Sequence, residues 1–116
     1  LPDRLANVPR LAGTHHERMD GNGYPCRLTG ENMSIPEKIM AIADVFEALT
    51  AVDRPYKRGK TLSESLGLMA VMVDKGHFDK DTFNLFLQSR IWLTYAQQHL
   101  LPEQIDPVDE SLFMKR

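Results

Sequence analysis

With a single cysteine, Cys26, the chain cannot close an internal disulfide, which excludes the small disulfide-stapled secreted scaffolds. No apolar run approaches the roughly 18 residues of a membrane span. Neither sign of charge prevails: 14 basic and 16 acidic residues leave a formal net charge of -2, without the basic excess that nucleic-acid binding favours. Duplex DNA or RNA is therefore not an expected partner, and a cytoplasmic setting is the default expectation. Strand-like alternation and internal repeats are both missing, so the expected class is all-α. What remains is a chain of 116 residues with 42% hydrophobic content, enough for one modest core.

Glycine and proline crowd the early part. Gly13, Gly21, Gly23, Pro25 and Gly30 predict a long loop before the first well-defined helix, with Asp20-Gly21 and Asn22-Gly23 as consecutive turn dipeptides. A loop of that length is more than a connection needs and raises the expectation of function. Ser34 and Glu37 then form a capping-box pattern, and Ile35, Ile39, Ile42, Phe46 and Leu49 recur at helical spacing, predicting a helix over 35–50. Thr61 and Glu64 repeat the pattern before Leu62, Leu66, Met69, Ala70 and Val73, a stripe ending near Gly76. Asp79 or Asp81 caps a third helix, which the segment Ile91–Leu100 either follows or continues, and Pro102 stops it. From Gln104 the chain reads as a tail.

Chemistry-bearing residues fall in three places. His15 and His16 are adjacent, so ordinary backbone geometry does not let them share one ion easily. They suit either two neighbouring ions of a two-metal site or a bland role as surface or capping residues. Asp44 interrupts an apolar helical run, where an unpaired carboxylate is costly to bury; it is either a metal ligand or a half-exposed helix residue beside the stripe. Glu47, one turn on, shares its side of the helix. Arg54 and Lys57 flank Pro55 and Tyr56 in a turn that either grips phosphate or is simply solvated. Tyr24, stiffened by Pro25, is a loop anchor or a stacking surface. Cys26 reads as non-catalytic, His77 and His99 as structural or surface residues, and Met69 and Met72 as core filling.

The run from His15 to Pro25 (HHERMDGNGYP) resembles the signature loop of the HD-GYP family, and the likeness continues through Ile39–Thr50 (IMAIADVFEALT) and Asp53–Lys57 (DRPYK). Three blocks in order make this a specific likeness. It implies a helical-bundle portion of an HD-type domain and a metal-dependent phosphodiesterase acting in signalling. The implied substrate is cyclic di-GMP or a related cyclic dinucleotide, attacked by a water that the metals activate. It further implies two or three divalent metals, iron or manganese favoured, with magnesium, nickel or zinc also acceptable. By the same resemblance His15, His16 and Asp44 are metal ligands, and Arg54 and Lys57 contact substrate phosphate. Glu47 and Tyr24 contact the rest of the substrate, and Gly21, Gly23, Tyr24 and Pro25 shape the loop. Position 47 is often Asp in the family, so the longer Glu47 is expected to alter the base pocket. Arg27 stands where the family often has Gly.

The family's upstream His-Asp pair has no counterpart here. The expectation is therefore the C-terminal part of one HD-GYP-like domain: loop, helix and basic turn over 11–60, supporting helices over 61–100 and a tail over 101–116. Such a part alone is expected to bind few or no metals, to be inactive, and to dimerise through faces that the missing N-terminal half would cover. The alternative is a non-catalytic cyclic-nucleotide-binding or protein-interaction module.

Overall fold

Helix boundaries in this protein are set by side chains that satisfy the otherwise unpaired backbone groups at helix ends. The structure, a computed structural model, describes residues 33–53 and 55–116. Ser34 accepts from the Glu37 amide while the Glu37 carboxylate accepts from the Ser34 amide, and helix α1 (Ile35–Thr50) starts there with Pro36 in its first turn. Thr61 and Glu64 make the same reciprocal pair at the start of α2 (Leu62–Asp74). These bonds hold the Glu64 carboxyl below its ordinary value. Past α2, Gly76 takes a φ of 81°, a left-handed conformation that glycine adopts without strain. Asp79 caps α3 (Lys80–Ser89) through the Thr82 amide and hydroxyl.

α4 (Ile91–His99) does not continue α3. The two are separated at Arg90, a non-glycine residue at φ 55°. Side chains stabilise the break. The Ser89 hydroxyl donates to the Phe86 carbonyl, and the Trp92 indole donates to the Leu87 carbonyl at 3.1 Å, so the end of α3 is capped from the start of α4. The Arg90 guanidinium lies 5.7 Å from the Trp92 ring centre.

The helices enclose one core built on Ile42, Phe46, Leu66, Phe83, Leu87 and Trp92, with α1 packed against both α2 and α3. This bears out the all-α expectation; the described residues contain four α-helices and no strand beyond an isolated bridge between Asp53 and Lys57. The stripe on α1 is narrower than its spacing suggests. Ile42 and Phe46 are buried, but Ile35 and Ile39 are exposed, and Met40 and Ala41 are buried in addition. Among the described residues no helix is long and apolar enough to cross a membrane.

The segment after Pro102 folds back onto the helices. Asp106 accepts from the Ser63 amide at 3.0 Å and from the Ser63 hydroxyl, and the Asn84 amide group exchanges hydrogen bonds with the Lys115 backbone at 2.6 and 2.8 Å. Partial burial works to raise the Asp106 carboxyl, but the Ser63 hydroxyl and amide outweigh it and hold the group below its ordinary range. A carboxyl depressed on folding stabilises the fold above its unfolded value, about 3.9, and that contribution is lost as pH falls through the lower folded value. Asp106→Asn is therefore expected to destabilise the protein at pH 7 and to cost much less near pH 2. Urea unfolding at both pH values checks this; an equal loss at both would contradict it.

Candidate functional site

α1 carries the two carboxylates of interest on one side, because residues three apart on a helix are neighbours. Asp44 is half-buried, and Glu47, only 6% exposed, lies deeper. Both line an open cavity of about 450 Å³ whose far wall comes from α4 and the segment after it, with Tyr95, His99, Leu101 and Gln104. The Tyr95 hydroxyl donates to Glu47 Oε2 at 3.4 Å. Its ring meets Phe46 edge-on with centroids 5.6 Å apart and His99 at 5.0 Å, so a short aromatic ladder backs the carboxylate wall.

The C-terminus of α1 is closed by the segment that follows. A helix leaves its last carbonyls unpaired. Here the Thr50 hydroxyl donates to the Phe46 and Glu47 carbonyls, the Lys57 ammonium to Ala48, and the Lys60 amide to Leu49 at 3.0 Å. The Gln104 side chain donates to Thr50 at 2.8 Å. The turn between these anchors is a tight one, with Asp53 and Lys57 exchanging both backbone hydrogen bonds at 3.0 and 2.6 Å. A cation at a helix C-terminus is favourably placed against the helix dipole. Ala48 lies one turn beyond Asp44, so the Lys57 ammonium is anchored about 6 Å further along the helix axis.

Of the residues singled out in the sequence, the structure brings Asp44 and Glu47 together on the cavity and places exposed Lys57 at the end of the same helix. His15, His16, Gly21, Gly23, Tyr24, Pro25 and Arg54 lie outside the described residues. The described residues alone contain no group of three His, Cys, Asp or Glu side chains able to hold a metal. The Asp44 carboxylate on the open cavity wall is a hard oxygen donor of the kind that suits a divalent cation, and beside it Glu47 Oε2 accepts from Tyr95. That fits a metal whose remaining ligands come from elsewhere. Tyr95, His99 and Gln104 were not singled out for the site in the sequence. Spacing of four does put Tyr95 and His99 on one helix face, but nothing in the sequence says which face meets α1.

Residues 1–82 match the HD domain family. The chain belongs to that family. Its relatives agree with the HD-GYP type. It is 44% identical over 82 residues to the 3'3'-cGAMP-specific phosphodiesterase 1 of Vibrio cholerae, covering 71% of this chain and 19% of that protein. It is 43% identical over 75 residues to a cyclic di-GMP phosphodiesterase of Pseudomonas aeruginosa, covering 65% of this chain and 17% of that one. To the cyclic di-GMP phosphodiesterase response regulator RpfG of Xanthomonas campestris it is 46% identical over 59 residues, covering 51% and 15%. The matched part of this HD domain thus spans less than a fifth of the length of each of these relatives. HD domains are metal-dependent phosphohydrolases, which accords with divalent metals in general. The family match ends just inside α3, so Tyr95, His99 and Gln104 all lie beyond it.

Proposed function

We propose that the intact protein is a metal-dependent phosphodiesterase that opens a cyclic dinucleotide, cyclic di-GMP or cyclic GMP-AMP, to its linear form. The observation that carries this reading is the pairing of Asp44 and Glu47 on one cavity wall, within a chain similar to named phosphodiesterases of both substrates. In this reading Asp44 binds a divalent cation together with His15 and His16, iron or manganese being favoured. When bound, such cations supply Lewis-acid activation of phosphate chemistry at neutral pH. Lys57 and Arg54 neutralise phosphate charge, Lys57 from its anchor on the Ala48 carbonyl. Tyr24, in the loop shaped by Gly21, Gly23 and Pro25, contacts the substrate. Glu47, held by Tyr95, faces the nucleobase and accepts hydrogen bonds from it.

The test is to incubate the intact protein with cyclic di-GMP or 3'3'-cGAMP, with Mn(II) or Fe(II), and to resolve the products by chromatography. Linear dinucleotide from at least one substrate is expected. Tight binding with no cleavage of either would establish the non-catalytic nucleotide-binding module instead. Glu47→Asp is a finer probe. The shorter side chain withdraws from Tyr95 and from the base, and a hydrogen bond to a charged group is worth about 1.5–3 kcal/mol. The ratio of kcat/KM for the two dinucleotides is expected to change by about tenfold or more. An unchanged ratio would remove Glu47 from base recognition.

A further inference from the structure

Glutamine is mostly found at protein surfaces, yet Gln104 is only 3% exposed. Its amide is fully used. Oε1 accepts from the Leu101 backbone at 3.0 Å, and Nε2 donates to the Thr50 carbonyl at 2.8 Å and to the Lys60 carbonyl at 3.0 Å. Thr50 and Lys60 are the two ends of the basic turn. One amide group, reaching in from the segment after α4, therefore ties together the start and finish of the stretch that contains Arg54 and Lys57. The close fit leaves no room beside it: a Cβ on Gly59 would collide with the Thr50 carbonyl oxygen and with Gln104 Nε2. Gln104 also lines the Asp44–Glu47 cavity and, on the other side of the turn, a hollow lined by Lys57, Arg58 and Lys60 with Glu64 and Glu103.

We propose that Gln104 is a positioning residue for the basic turn, setting where Lys57 stands relative to the Asp44–Glu47 cavity. Its side-chain hydrogen bonds go to backbone groups and not to Asp44 or Glu47, and it acts through the backbone carbonyls of Thr50 and Lys60. The proposal rests on the phosphodiesterase reading for what the turn holds, but the tie itself does not depend on it.

Gln104→Met keeps the length of the side chain and removes both donors, leaving two carbonyls without their partner. In the intact protein, trypsin cleavage after Lys57 or Arg58 is expected to accelerate by about tenfold or more. KM for the dinucleotide should rise about tenfold with kcat within about threefold, because the turn contributes binding to ground and transition states alike. A lower melting temperature with unchanged KM would overturn the positioning role and leave a structural residue. Unchanged proteolysis would overturn the tie. The unsubstituted protein gives a check that needs no variant: cleavage at the turn should require global unfolding in urea, and rapid cleavage under native conditions would overturn the proposal. If neither dinucleotide is hydrolysed, the phosphodiesterase reading fails separately, and the dissociation constant for cyclic di-GMP replaces KM as the readout.

Discussion

Asp44→Asn is expected to lower phosphodiesterase turnover of the intact protein by at least about a hundredfold while leaving the fold in place. The substitution is nearly isosteric and exchanges a charged oxygen donor for a neutral amide. Asp44 is half-buried on a cavity wall, outside the buried core set of α1, so the core's packing is left in place. Loss of groups that merely support a metal ligand costs about 10–100-fold in affinity or activity, and loss of a ligand's own charge should cost more. Steady-state kinetics at saturating manganese, with circular dichroism as the control, decides the matter. Turnover within a few-fold of the unsubstituted protein would show that Asp44 is a half-exposed helix carboxylate without a part in the chemistry.

The largest expected effect on stability comes from the core contact of α4. Trp92 is 1% exposed, packs in the common core, and ties α4 to the end of α3 through its indole hydrogen bond to the Leu87 carbonyl. Trp92→Ala removes the ring and leaves a cavity, a change that typically costs about 3–5 kcal/mol. Against a total of about 5–15 kcal/mol for a domain of this size, that is a large share. The melting temperature should fall by at least about 10 °C. Trp92→Phe, which keeps an aromatic ring but loses the indole donor and part of the buried volume, should recover much of it. A loss below about 1 kcal/mol for Trp92→Ala would mean that α4 is not part of the cooperative core. Because α4 supplies Tyr95 and His99 to the cavity, the alanine variant should also weaken the site.

What the sequence made legible is what local chemistry determines. The start of α1 could be read because Ser34, Glu37 and Pro36 are start signals that act within one turn. Asp79 was among the legible caps for the same reason. The break at Arg90 was not, since neither glycine nor proline marks it and its stabilising partners, Ser89 and Trp92, are common helix residues. From Gln104 to Arg116 the sequence, with Pro107 in it, reads as a tail, and its order is not visible locally. Its order comes from Ser63, 43 positions away from Asp106, and from Thr50, 54 positions away from Gln104. The site divides in the same way. That Asp44 and Glu47 share one side of α1 was legible from their spacing, and the likeness to HD-GYP sequences made them candidates. Tyr95, which holds Glu47 from another helix, could be found only once the helices were packed.

In the proposed function, Asp44 helps to hold a divalent metal on the wall of this cavity. The most direct test is elemental analysis of the intact protein, purified without chelator and reconstituted with iron or manganese, beside its Asp44→Asn variant. At least one equivalent of metal is expected in the unsubstituted protein and a clear loss in the variant. Equal metal content in the two, or none in either after reconstitution, would contradict it.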